Sequence, residues 1–118
     1  MKKKKLYLAA PYSDEDEKVM EYRYEEAVKE VGKLMELGYS VICPVVHYHP
    51  VAKAANLPRT WDYWQEIDIP LVHCADEVWV FMIKGWKKSI GVNAEIREAR
   101  KLAKPVRYVD NRDRRIKK

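Results

Sequence analysis

Residues Val78-Trp79-Val80-Phe81-Met82-Ile83 are apolar without interruption. A strand with one wet face alternates apolar and polar side chains. A strand apolar at every position must be covered on both faces, as in a parallel sheet between two helix layers. Shorter, nearly continuous apolar runs recur at Leu6-Tyr7-Leu8-Ala9-Ala10, ended by Pro11, and at Tyr39-Ser40-Val41-Ile42-Cys43, ended by Pro44. Another is Pro105-Val106-Arg107-Tyr108-Val109. Helical patterns separate them, and alternation of this kind prescribes crossover connections and a parallel sheet. The expected fold is α/β: a small Rossmann-like (flavodoxin-like), doubly wound parallel sheet of about four to five strands, with helices on both faces.

The connecting segments carry their own punctuation. Ser13 followed by Asp14-Glu15-Asp16-Glu17 predicts an N-cap and an acidic first turn. That helix is expected to run to about Leu37 and stop at Gly38. Val45-Val46-His47-Tyr48-His49-Pro50 reads as a loop, continued by an irregular segment to Arg59. Thr60 is placed to cap a helix from Trp61 to about Cys74, with a kink or break near Asp68 because Pro70 lies inside it. A strand is expected over Glu77–Ile83, and a last helix from its cap at Ser89 to Ala103.

At 118 residues the chain fits one hydrophobic core and a single domain over 1–118. The net charge of +5 is a property of its basic ends, 1–5 and 111–118. Lys2 to Lys5 and the stretch Arg112–Lys118 hold nine of the 23 basic residues, so the body is slightly acidic. Such a distribution describes solvated tails and not a specific nucleic-acid reader. No apolar run has membrane-spanning length, so no membrane partner is expected. Two cysteines, Cys43 and Cys74, are too few for a disulfide framework and point to reduced thiols in a cytoplasmic protein.

In an open parallel sheet, ligands bind beyond the carboxyl ends of the strands. That rule collects Ala10, Pro11, Tyr12 and Ser13, then Pro44 to His49, then Gly85 to Glu95, and the segment after Val109. The candidate polar groups are Tyr7, Tyr12, His47, His49, Asp68, Ser89, Asn93 and Glu95, with Gly85, Trp86 and Gly91 in the same turn. Neither a Walker motif nor a Gly-x-Gly-x-x-Gly fingerprint is present. Ser89, Gly91 and the free amides of the last helix form a potential anion site. Glu95, about one and a half turns in, could face back over the strand end as a nucleophile; a surface glutamate beside Arg97 and Glu98 is the plainer alternative.

Three elements in this order and spacing carry a resemblance. They are Tyr7 within Tyr7-Leu8-Ala9-Ala10-Pro11-Tyr12, Asp68 eight residues before Asp76, and Ser89-x-Gly91-x-x-x-Glu95. The pattern resembles the nucleoside 2-deoxyribosyltransferase superfamily, including its nucleoside 5′-monophosphate N-glycosidase branch, and is most similar to short, often phage-associated members. The resemblance spans Tyr7 to Val109. It implies that Glu95 attacks the anomeric carbon, that Asp68 handles the leaving base, and that Tyr7 positions Glu95 and the sugar. It also implies that Ser89 stands where the monophosphate glycosidases hold a phosphate. One departure is the acidic stretch Asp14-Glu15-Asp16-Glu17, where those glycosidases have a glycine-rich loop bearing arginine.

The function so implied is N-glycosidase or deoxyribosyltransferase chemistry on a nucleoside or its 5′-monophosphate, without a cofactor or metal. Subunit association, as a dimer or higher homo-oligomer, is also implied. The alternative from another class is a nucleotide-binding or sensor module that turns nothing over. A zinc site on His47 and His49, with Cys43 or another ligand, is a further rival, since i and i+2 on an extended segment point the same way. No third ligand stands at a recognisable spacing. Trp61, Trp64 and Trp86 could stack a base, seal an interface or fill the core.

Overall fold

The computed structural model describes residues 3–111; residues 1–2 and 112–118 of the basic ends lie outside it. The elements run β1 (Lys5–Ala9), α1 (Glu17–Glu36), β2 (Ser40–Ile42), α2 (Pro44–Ala55), α3 (Trp61–Cys74), β3 (Glu77–Phe81), a 3-10 turn (Trp86–Lys88), α4 (Ile90–Lys101) and β4 (Val106–Val109). The four strands pair in the order β2-β1-β3-β4, all parallel. The fold class is therefore as the apolar runs require. Alternation along β1 divides the core. Tyr7 and Ala9 pack with Val72, Val92, Ile96 and Ala99 of α3 and α4. Leu6 and Leu8 pack with Ala27 and Leu34 of α1 on the opposite face. The chain leaves β1 towards one sheet edge and β3 towards the other, so a crevice opens between their carboxyl ends.

Several local expectations are corrected. α1 begins at Glu17, and its cap is Asp16, whose carboxylate accepts from Lys18 N at 2.9 Å. Ser13 is occupied otherwise: its hydroxyl donates to Arg59 O, and its own carbonyl accepts from Arg23. At the other end the chain turns as expected, with Gly38 at φ 102° and Tyr39 N donating back to Leu34 O. Residues 44–55 form a helix and not a loop. Pro44 is its first residue, where a missing N–H costs nothing, and it continues through Pro50.

α3 likewise runs unbroken through Pro70. An interior proline costs about 3 kcal/mol, and tertiary contacts oppose that cost. Val72 is fully buried, and Lys104 Nζ ties down the helix end by donating to the carbonyls of Val72, His73 and Ala75. Lys4 and Lys5, counted above with a basic tail, belong to the sheet. Lys5 begins β1, and Lys4 pairs with buried Glu77 at 2.9 Å. Cys43 is buried and Cys74 exposed, both as free thiols. Among the described residues no helix is long and apolar enough to cross a membrane.

Candidate active site

A cavity of about 360 Å³ occupies the crevice at the carboxyl ends of β1 and β3, a size suited to a small ligand. Each neighbouring element contributes at its own period. β1 sends up Tyr7 and continues into Ala10 and Tyr12. α2 contributes Val45, Tyr48, His49 and Ala52, one face of a helix at i, i+3, i+4 and i+7. α3 adds Trp61, Trp64 and Asp68, and the turn before α4 adds Lys88, Ser89 and Gly91, with Glu95 one turn further.

Glu95 lies on the buried stripe Val92, Glu95, Ile96, Ala99 of α4, which packs on the sheet. A carboxyl in such a stripe must find a donor, and it does: Tyr7 Oη donates to Glu95 Oε2 at 2.5 Å, with both groups buried. The bond joins residues 88 positions apart. Burial, and to a lesser degree the Asp68 charge, raise the Glu95 carboxyl well above the usual range, while the Tyr7 hydroxyl opposes them. Burial also raises the Tyr7 hydroxyl, helped by the charges of Glu95 and Asp68.

Asp68 is different. It is 8% exposed, and its Oδ1 has no hydrogen-bond partner. Burial alone lifts its carboxyl from 3.8 to about 7. A buried polar atom left unsatisfied costs about 1–3 kcal/mol, and structures rarely keep one without a use for it. The cavity thus holds two carboxyls in contrasting states, one hydrogen-bonded by a tyrosine and one with an oxygen free for a ligand.

The start of α4 carries free donors. Ser89 Oγ accepts from Val92 N at 3.1 Å, which leaves its own proton free to donate. Lys88, the last residue of the 3-10 turn, adds a positive charge at the same rim. Gly91 lets an aromatic ring pack closely on the helix start. A Cβ on it would come within 3.0 Å of the Trp61 ring, which lies against the helix start. Trp61 also lines the cavity, and Tyr48 stacks on Trp64 with ring centres 5.3 Å apart, so one wall is aromatic.

Of the sequence candidates, Tyr7, Ala10, Tyr12, His49, Asp68, Ser89, Gly91 and Glu95 line this cavity; Pro11, His47, Gly85, Trp86 and Asn93 do not. Pro11 is fully buried. His47 lines a second cavity with Val31, Val41 and Cys43, because on a helix i and i+2 point about 200° apart and not together. The shared direction that a zinc site on His47 and His49 required is therefore absent. Burial pushes the Cys43 thiol up to about 12. Among the described residues no group of three or more metal-binding side chains stands together.

Gly85, at φ 97°, leaves room for the Arg23 guanidinium, which donates to the carbonyls of Tyr12 and Ser13 and so ties the first loop to this turn. Trp86 packs on Tyr108, and Asn93 braces the turn by donating to Lys87 O and Ser89 O. After Val109, the Asn111 amide donates to Glu26. The acidic stretch also stays out of the cavity: Asp16 caps α1, Asp14 accepts from Asp16 N, and Glu17 pairs with Arg59 at 2.8 Å. Two polar lining residues, Tyr48 and Lys88, fell within the segments collected at the strand ends without being singled out as candidates. The 45/48/49/52 periodicity marked the first, and its place directly before the Ser89 cap marked the second.

A parallel sheet in this order, with a carboxyl-lined crevice at the ends of its central strands, defines a small α/β protein of the doubly wound, Rossmann-like class. A solved 2-deoxyribosyltransferase from the psychrotolerant bacterium Bacillus psychrosaccharolyticus shares the fold. Its TM-score is 0.60 at 21% sequence identity, over 90% of this chain and 72% of that one. Residues 4–111 match the family described as a domain of unknown function (DUF1937), and the chain belongs to that family. No curated protein matches it in sequence.

Proposed function

We propose that this protein acts on the N-glycosidic bond of a nucleoside 5′-monophosphate, with Glu95 as nucleophile and Asp68 as acid and then base. One observation carries the reading: a tyrosine-held buried carboxyl and a partnerless buried carboxyl line the same cavity. The fold shared with a 2-deoxyribosyltransferase supports it.

The chemistry follows the logic of a retaining glycosidase. With Oε2 taken by Tyr7, Oε1 of Glu95 attacks C1′. The C1′–N bond breaks, its electron pair goes to the base, and the Asp68 proton neutralises the leaving nitrogen. Water, or a second base, then attacks C1′ of the glycosyl-enzyme, returns its proton to Asp68, and frees the Glu95 carboxylate. The reactive state needs charge on Glu95 and the proton on Asp68. The Tyr7 hydroxyl favours that arrangement by donating to Glu95, whereas Asp68 Oδ1 has no donor. Burial works against it by holding a proton on Glu95. Activity is therefore lost as pH falls through the raised Glu95 value, and the acid limb of the rate profile lies above that of a solvated carboxylate. Lys88, the Ser89 hydroxyl and the amides at the start of α4 would receive the 5′-phosphate.

The test is release of free base, separated by chromatography, from ribo- and deoxyribonucleosides and their 5′-monophosphates. Release from a monophosphate should fall at least about a thousandfold in Glu95→Ala. In Lys88→Ala it should fall for monophosphates but not for free nucleosides. Binding of the same nucleotides with no release by the folded wild type would refute the catalytic assignment and leave a nucleotide-binding module.

A further inference from the structure

Tyr12 and His49 line the cavity but have no part in the bond cleavage, and they head a hydrogen-bonded chain that leads out of it. Tyr12 Oη lies 2.6 Å from His49 Nδ1, and His49 Nε2 lies 2.8 Å from Glu21 Oε2. Lys53 Nζ donates to that same oxygen at 2.8 Å. His49 is only 3% exposed and is held between aromatic rings, with Tyr24 tilted over it at 4.4 Å and Tyr12 edge-on at 5.4 Å. A buried imidazole so fixed has one orientation.

The chain has a direction. Lys53 and His49 hold the Glu21 carboxyl below its usual range, so it is charged and can only accept. Nε2 must then carry the ring proton, and in that tautomer Nδ1 is an acceptor. Tyr12 is left to donate to Nδ1. The Arg59 guanidinium agrees, since it acts as a donor towards the Tyr12 oxygen and takes up part of its lone-pair capacity, leaving the remainder to the cavity. A tyrosine whose proton is committed in this way offers only lone pairs to a ligand. We infer that Glu21 and His49 fix Tyr12 as a hydrogen-bond acceptor in the cavity wall, so that it selects a nucleotide presenting an O–H or N–H donor at that point. The inference rests on the reading of the cavity as a nucleotide site and adds to it a specificity determinant. The donor is either a sugar hydroxyl or an exocyclic amino group of the base, which offer the same chemistry to Tyr12.

The experiment compares substrate pairs that differ in the donor at one position: the exocyclic amino group of cytidine against the oxo group of uridine 5′-monophosphate, that of adenosine against the oxo group of inosine 5′-monophosphate, and the 2′-hydroxyl of ribo- against deoxyribonucleotides. Wild type should prefer the donor-bearing member of one pair by about tenfold or more in kcat/KM. Tyr12→Phe should bring that ratio to within about twofold, mainly by losing the preferred member. The pair whose ratio collapses identifies the donor. Glu21→Gln, on a partly exposed side chain, releases the constraint on the imidazole and should weaken the same ratio and no other. Equal loss for every substrate, no change in either variant, or no wild-type preference would overturn the inference. If the wild type turns nothing over, the same ratios are read as Kd by calorimetry, which separates failure of the chemistry from failure of the selection. Absence of binding by any of these nucleotides would overturn both.

Discussion

Asp68→Asn should make the protein more stable at neutral pH while abolishing its activity. Burial raises the Asp68 carboxyl from 3.8 to about 7 in the folded protein. A folded value above the unfolded one means that the fold keeps a proton the unfolded chain has released. Stability from this group is therefore complete below about pH 4 and declines as pH rises towards 7. A shift of about three units corresponds to about 4 kcal/mol, an upper bound for the penalty above pH 7. Asparagine has the same shape and no charge to desolvate. Urea unfolding, followed by tryptophan fluorescence at several pH values from 4 to 8.5, measures the difference. The two proteins should agree near pH 4 and diverge by up to about 4 kcal/mol at pH 8, at similar m-values. A carboxylate held by a structural partner would behave in the opposite way, with wild type gaining on the variant as pH rises. That result, or a difference independent of pH, would refute the account of Asp68 as a desolvated group kept at the expense of stability.

Two further outcomes follow from the geometry. Tyr7→Phe removes the hydroxyl that opposes burial at Glu95. Loss of a hydrogen bond to a charged group, about 1.5–3 kcal/mol, should move the acid limb of kcat/KM upward by about one to two units and lower the rate at neutral pH accordingly; a limb that stays in place would show that Tyr7 does not tune Glu95. Gly91→Ala gains about 1 kcal/mol of helix propensity but crowds Trp61 at 3.0 Å. Alone it should weaken nucleotide binding and shift tryptophan emission, and in a Trp61→Ala background it should stabilise the fold. Additive effects in that double-mutant cycle would rule out the contact as the reason for the glycine.

Much of this arrangement was legible along the chain, because its causes are local. Unbroken apolar runs such as Val78–Ile83 need cover on both faces, which dictates a parallel sheet whatever the details of the helices. Ser89 caps α4 as its position requires, and Gly38 ends α1. Glu95 falls in register with Val92, Ile96 and Ala99, so its burial was implicit in the helical period.

The tertiary structure decided matters that depend on sums over distant neighbours. Two prolines and a polar cluster made 44–55 read as a loop, yet packing the Val45, Tyr48, His49 and Ala52 face over the crevice outweighs the cost of Pro50. That one change of element separates His47 from His49 and sends them to different cavities. The N-cap of α1 moved from Ser13 to Asp16 because Arg59, 46 residues away, and Arg23, from within α1, engage Ser13 first. The partner of Glu95 lies 88 residues away, and those of His49 lie 37 and 28 residues away. Sequence periodicity places a side chain on a face, but its charge state and hydrogen-bond direction follow from how much water the assembled surroundings exclude, a property no segment of the chain possesses alone.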